Sequence, residues 1–507
     1  MRAELPQPLT GATWVTPEWL VASVSGDVMS PDTLARWQFA STTIYHFIIV
    51  PVSIGLALLV ATMQTLAYRK RGSDGGAVWD RVARFWGKLM LISFAIGVVT
   101  GIVQEFKFGM NWSAYSRFVG DIFGAPLAME GLIAFFLEST FLGLWIFGRD
   151  LLSARAHLAC IWLAAIGSAI SAYFILAANS WMQHPVGYRI DPATGLPQMT
   201  NIWRVLFQST QLVTFSHTLF AAMLTGGAML LSVSVWHLRK EGAQVDVAHR
   251  QVAKMALGVV VIAALGVSFV GHVQGQVMTK QQPMKMAAAE ALWNTKSEAG
   301  FSLFAYADVS KGHNKIDLSI PDGLSILATD HPGGTVQGIN QVQAAERAAY
   351  GPGDYVPNVG LAYWCFRLMI GFGVLAGLIG AVLIVQWRRG RLLSSDRLLR
   401  VAAWTVVLPL LANTAGWLFT ETARQPWLVY GLLKTSAGVS SNVSNTMVAF
   451  SLFGFVALYG ILGVIAARLF IRTARQGIDR SIDIDPGDAT SGDGGLGVSD
   501  GVLSLAP

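Results

Sequence analysis

The chain has 507 residues, of which 53% are hydrophobic and only 13% charged, and its mean hydropathy is +0.50. Soluble domains carry about 25% charged residues, so this composition excludes an ordinary soluble globule and points to several membrane crossings. The formal charge of +6 then speaks of topology, and no basic stripe with interleaved aromatics suggests a nucleic-acid partner.

Residues 1–36 show no basic stretch followed by an apolar core, so no cleavable signal peptide is expected and they read as an N-terminal segment outside the membrane. Apolar runs long enough to cross about 30 Å of hydrocarbon follow near 37–67, 86–104, 124–148, 157–180, 205–236 and 255–273. Residues 274–358 interrupt them with one long polar loop, broken by Gly and Pro, in which Met284–Trp293 ("MKMAAAEALW") favours a short helix. Three more runs lie near 361–387, 401–420 and 446–471, within a second membrane region spanning 359–474. From 475 to 507 the chain is rich in Gly, Asp and Ser and is expected to be disordered. The predicted fold is an all-α integral membrane protein of nine transmembrane helices without an internal repeat. The two cysteines, Cys160 and Cys365, fall towards opposite faces, which excludes a bridge between them.

Basic residues sort the loops. Arg69, Lys70, Arg71, Arg81 and Arg84 fall on one side, as do Arg149, Arg155, Arg239, Lys240, Arg388 and Arg389, and finally Arg472 and Arg475. Short loops on the other side hold far fewer, among them Lys107, Arg117 and Lys434. The positive-inside rule then places the N-terminus outside and the C-terminus in the cytoplasm.

Polar groups inside a bilayer are costly and tend to be functional, so their depths can be compared at 1.5 Å of rise per residue. His46 lies about nine residues below the outer end of its span, roughly 14 Å. Glu130 lies about six residues in on the third span, His217 about twelve on the fifth and Met369 about eight on the seventh, while Glu421 closes the eighth. Five groups able to bind metal or haem thus converge on the outer half of the bilayer from five helices. Each has a plainer alternative. The histidines could be hydrogen-bonded packing residues and Met369 a core filler, while Glu421 and Arg424 could sit among the headgroups. Glu130 and Glu138, in "APLAMEGLIAFFLEST" with no basic partner on their span, must be neutral, paired or relaying protons. Imidazole, thioether and carboxylate together suit iron porphyrin better than zinc or calcium.

The segments "RWQFASTTIYHFIIVP", "EFKFGMNW", "VGDIFGAPLAMEGLIAFFLEST", "WMQHP", "FSHT", "QQPMKMAAAEALW", "FRLM" and "GWLFTETARQPW", in that order, resemble subunit I of the cytochrome bd-type quinol oxidases from Ala35 to about Arg472. The resemblance implies two haems b, one low-spin and one high-spin, and one haem d. His217 and Met369 would ligate the low-spin haem, with Arg367 beside it; His46 and Glu421 would ligate the high-spin pair, in an order left open, with Glu130 close by. Trp417 would lie between haems and Arg424 would pair with propionates. Lys285 and Glu290 would belong to the quinol site, while Lys88, Glu105 and Glu138 match positions of haem support or proton delivery. Quinol, O2, a second multi-span subunit, a small single-span subunit and the lipid bilayer are the implied partners, and a bacterial cytoplasmic membrane the implied location. Whether ubiquinol or menaquinol is used stays open. The chain departs from the family at Ala423, where Gly is common, and at His272, where Asp is common.

Two other readings compete with this one. A secondary transporter would show paired broken helices and a midplane site, and a haem-binding relay subunit would lack an O2 site.

Overall fold

The computed structural model describes residues 30–241, 247–308 and 311–480. Among them, nine helical segments are long and apolar enough to cross a membrane. The first two are α1 (Pro31–Arg69) and α2 (Asp74–Met110). The third joins α3 (Ser113–Met129) to α4 (Phe136–Phe147) through a π-helical turn at Glu130–Phe135. The fourth is α5 (Ala154–Gln183); after the short α6 (Ile202–Leu206) come α7 (Ser209–Glu241) and α8 (Val247–Gln281). The tail expected to be disordered from 475 starts later than that, since residues 475–480 belong to the last helix; its remainder and the first 29 residues lie outside the described residues.

Side-chain caps set the helix starts: Ser30, Ser73, Ser153 and Asn358 each accept a hydrogen bond from a backbone N–H in the first turn that follows, satisfying donors that have no partner within the helix. Most helices outrun their apolar stretches because charged, cappable ends extend them into the interface. One consequence is that α8 runs to Gln281, eight residues beyond the apolar run that ends at 273.

The segment between the sixth and seventh spans is a folded unit, more ordered than its Gly- and Pro-broken sequence suggests. It holds α9 (Pro283–Ala289), α10 (Gly323–Thr329) and α11 (Ile339–Tyr350). The short pairs β1 (Tyr188–Ile190) with β2 (Pro197–Met199), earlier in the chain, and β3 (Lys296–Ser297) with β6 (Thr335–Val336) are antiparallel, as is the longer ribbon β4 (Phe301–Asp308) with β5 (His313–Ile320). The helix expected over 284–293 stops sooner, because Ala291 adopts a left-handed φ of 46°. The seventh span is α12 (Val359–Arg388). The eighth is split into α13 (Asp396–Trp404) and α14 (Val407–Thr422), with Pro409 unable to donate back across the break. After the hairpin β7 (Trp427–Val429) with β8 (Leu433–Lys434), α15 (Asn445–Arg480) completes the bundle.

Small residues let the spans approach, as in other membrane bundles. A Cβ at Gly55 of α1 would collide with the Ala222 carbonyl of α7, and one at Gly380 of α12 would stand 2.8 Å from Val260 of α8. The half of the bundle beside the arginine-rich loops is filled with side chains: Leu56, Leu59, Met63, Phe85, Trp86 and Ile161 are at most 1% exposed. In the opposite half the packing opens into two cavities.

Candidate functional site

The larger cavity has a volume of about 750 Å³ and the smaller about 350 Å³. His46, Glu105, Glu130, Glu138, Glu421 and Arg424 line the first; His217, Met369, Lys285 and Glu290 line the second. Trp417 lines both, stacked on Phe47 with ring centroids 4.8 Å apart and planes at 23°. Lys88 and Arg367 line neither.

His46 Nδ1 lies 2.8 Å from Thr100 Oγ1, and that hydroxyl donates to the Ile96 carbonyl at 2.8 Å. With its proton so engaged, the Thr100 oxygen accepts from Nδ1–H, which leaves the Nε2 lone pair of His46 for the cavity. Across the space, Glu421 closes α14. Its Oε1 accepts from Asn179 Nδ2 at 3.0 Å and its Oε2 from Arg424 Nη2 at 2.5 Å. Glu421 and Arg424, expected to face a metal and propionates respectively, are thus ion-paired with each other here, and Nε and Nη1 of Arg424 are buried without a partner.

Glu130 opens the π-helical turn, a distortion frequent at functional sites. Ser171 of α5 donates to Glu130 Oε1 at 2.7 Å, and Ser168 donates to Glu138. The two carboxyls stand eight residues apart along the span, about 12 Å, yet their serines are one turn apart, about 4.5 Å; the side chains therefore bend towards each other over α5. Gly167 permits this, since a Cβ there would be 2.9 Å from the Glu138 backbone nitrogen. Glu105 faces the same cavity from α2. Lys88 lies seventeen residues earlier on that helix, about 26 Å nearer the basic loops.

In the second cavity His217 presses against Gly271 of α8, where a Cβ would be 3.2 Å from Cε1, and its Nδ1 is buried without a partner. Met369 stands over Gly416, where a Cβ would be 2.8 Å from Sδ. Imidazole and thioether thus reach the cavity because the helices opposite them carry glycine. Above them, on α9, Lys285 Nζ donates to Gln183 Oε1 at 2.8 Å and to the Thr420 carbonyl at 3.3 Å, over the Phe419 ring. Burial pushes this amine down to about 7, with Arg424 adding to the shift and Glu421 opposing it. Glu290, capping α9, receives Arg367 Nη2 at 2.5 Å, and the guanidinium is held among the rings of Phe301, Tyr363 and Phe366. Burial pushes the Glu290 carboxyl up to about 7 against the pull of Arg367. His272 lines this cavity and pairs with Asp330 at 3.3 Å.

Sequence reasoning missed Phe47, Thr100, Asn179, Ser168 and Ser171. Only the serines left a signal, an i, i+3 polar pair on an apolar span. Lys107, expected in a short outer loop, is buried within α2, where Nζ donates to the Gln38 carbonyl at 2.8 Å and to Thr42. Cys160 and Cys365 are both free and buried.

The donor set fits haem on these observations: an available imidazole nitrogen at His46, an unpaired ring nitrogen at His217, and unpaired guanidinium donors on Arg424, which lines the larger cavity, suited to carboxylates. Fold and site define a multi-pass helical membrane protein that gathers histidine, methionine and carboxylate side chains around two cavities at one end of its bundle. The model of the family "Cytochrome bd terminal oxidase subunit I" matches residues 34–478. A cytochrome bd ubiquinol oxidase subunit 1 from Bacillus subtilis (strain 168) is 44% identical over 454 residues, covering 89% of this chain and 95% of the relative. A cytochrome bd-II ubiquinol oxidase subunit 1 from Escherichia coli (strain K12) is 36% identical over 504 residues, covering 88% and 96%. The solved bd oxidase from Geobacillus thermodenitrificans superposes with a TM-score of 0.79 at 28% identity, covering 88% of this chain and 99% of that one. The chain belongs to the cytochrome bd terminal oxidase subunit I family. Membership makes it a haem-bearing subunit of a terminal oxidase and sets aside the transporter reading.

Proposed function

We propose that this subunit oxidises quinol at the outer face of a bacterial cytoplasmic membrane and reduces O2 to water, together with a second multi-span subunit and a small single-span one. The observation that carries this reading is the pair of cavities at one end of the bundle, with His217 and Met369 in one, His46 and Glu421 in the other, and the stacked Phe47 and Trp417 in the wall between. His217 and Met369 would hold a low-spin haem b, and His46 and Glu421 the two high-spin haems, one b and one d. When bound, these groups supply one-electron transfer and the reduction of O2.

The chain's own residues do the rest. Lys285 and Glu290 bind the quinol headgroup, and each can take a hydroxyl proton near neutral pH because burial has brought its pKa close to 7. Arg367 steadies Glu290, and Arg424 is the counter-charge for propionates in the larger cavity. Glu130 and Glu138, with Ser171 and Ser168, pass protons inwards from the cytoplasmic side, with Lys88 at its entrance and Glu105 in support. Protons released outwards and taken up from inside would separate charge across the membrane without pumping.

A reduced-minus-oxidised absorption spectrum of the purified oxidase tests this assignment. A chlorin band beside low-spin and high-spin b signals is the expected result. Low-spin b alone would instead mean an electron relay without an O2 site.

A further inference from the structure

The β4–β5 ribbon has two unlike faces. Cross-strand partners share a face, so Phe304 with Leu318 and Tyr306 with Ile316 lie together, while Ala305 with Asp317 and Ser302 with Ser319 lie on the other. The second face is turned to the site on its β4 side: Ser302 and Ala305 are 2% exposed, and Ser302 donates its N–H to Glu290 at 3.4 Å and shares a 2.9 Å hydrogen bond with Tyr363. On the first face Phe304, Tyr306, Ile316 and Leu318 are 41–60% exposed. An apolar strip of this kind on an aqueous loop marks an interaction surface.

Its position identifies the partner. Phe304 packs edge-on against Trp364, with centroids 5.4 Å apart. Trp364 belongs to the exposed stripe of α12 that continues through Leu368, Leu375, Leu378 and Val382. Those positions fall at intervals of three, four or seven residues, one or two turns, down a spanning helix, so they form its lipid-facing side. Trp364 stands in the second turn of α12, at the height where tryptophan marks the membrane interface. The ribbon's apolar face is therefore continuous with the lipid-facing surface. Its tip, in contrast, is polar, with Lys315 paired to Asp308 at 3.3 Å.

We propose that this face of the β4–β5 ribbon is seated in the headgroup–acyl boundary of the bilayer, as a lip beside the cavity that holds Lys285 and Glu290. That cavity reaches the surface beside the ribbon, since Leu327 of α10, which packs against β4 and β5, is both a wall of it and 40% exposed. A quinol with an apolar tail would then pass from lipid to the buried pair without crossing water. This last step rests on the quinol reading; the seating does not.

The complete oxidase, bearing a bimane label at Leu318→Cys, is reconstituted into phosphatidylcholine–phosphatidylglycerol vesicles, with Lys311→Cys at the ribbon tip as reference. Cys160 and Cys365 are buried, and the unsubstituted complete oxidase, carried through the same labelling, sets the background to be subtracted. Lipids brominated near the headgroup are expected to quench the label at 318 and iodide to spare it, with the reverse at 311. Equal iodide quenching at both sites would place the ribbon in water, and protection at 318 from both quenchers would mean that protein covers it; either overturns the proposal. None of this requires turnover. For the lip, the double variant Ile316→Ser with Leu318→Ser is expected to raise KM for a long-tailed quinol about threefold or more and to leave kcat, and KM for a short-tailed quinol, unchanged. An unchanged long-tail KM, or an equal rise for both quinols, would overturn the lip. Failure of the unmodified oxidase to use either quinol would count against the quinol reading alone.

Discussion

Phe47 of α1 and Trp417 of α14 stack at 4.8 Å, and this aromatic pair stands in the common wall of both cavities, with Leu176, Asn179 and Thr218. Trp417 sits four residues before Glu421 on the same helix, so one turn of α14 fixes both the wall and a candidate ligand. Replacing Trp417 by Ala is expected to lower turnover about tenfold or more while the low-spin signal of the His217/Met369 site persists; Phe at this position should retain most activity. Stopped-flow reoxidation reads both, and full-speed turnover in the Ala variant would remove the wall from the reaction.

Thr100 acts on His46 from outside the cavity by accepting its Nδ1–H. A valine there keeps the shape and removes the acceptor. Partners of this kind are worth about 10–100-fold in metal affinity, so Thr100→Val should lower high-spin haem occupancy and shift its absorption, leaving the low-spin haem alone. Haem stoichiometry by pyridine haemochrome decides, and an unaltered high-spin spectrum counts against His46 as a ligand.

Glu138→Gln preserves size and the hydrogen bond from Ser168 but cannot carry a proton as a carboxyl does. Turnover is expected to fall with haem content intact, and Ser168→Ala should fall less, because it removes the donor without removing the acid. Oxygen-electrode rates set against haem content provide the measure. Normal rates in the Gln variant would take Glu138 off the proton path.

Glu290 and Lys285 both titrate near 7. Below that pH the carboxyl is protonated and the amine charged, so neither accepts a proton; above it both can. Quinol oxidation should therefore rise as pH passes from about 6 to about 8. In Glu290→Gln the rise should be shallower and the rate lower, with Lys285 providing what pH dependence remains. A variant profile as steep as the parent's would show that Glu290 is not a proton acceptor.

Much of this architecture was legible in the chain. Hydropathy located the nine spans because a bilayer demands continuous apolar helix; the depths counted from those apolar runs are less exact, since the helices outrun them and Glu130 lies 17 residues into the segment that begins at Ser113, where about six were expected. The long loop was harder to read. Its ribbon pairs residues through bulges between Ser302 and Phe304 and between Tyr306 and Ala307, which break the alternation that would announce a strand.

The sequence by itself determined which helices are long and apolar enough to cross a bilayer, because that follows from local chain geometry and the cost of polar groups in hydrocarbon. Only the tertiary structure decided that His46 and Glu421 share a cavity separate from that of His217 and Met369. It alone showed that Arg367 turns to Glu290 and Arg424 to Glu421, and that α5 supplies Ser168 and Ser171 to two carboxyls. Those facts depend on how far each helix is rotated about its axis against its neighbours. That rotation is set by where glycines allow close approach and where large side chains do not.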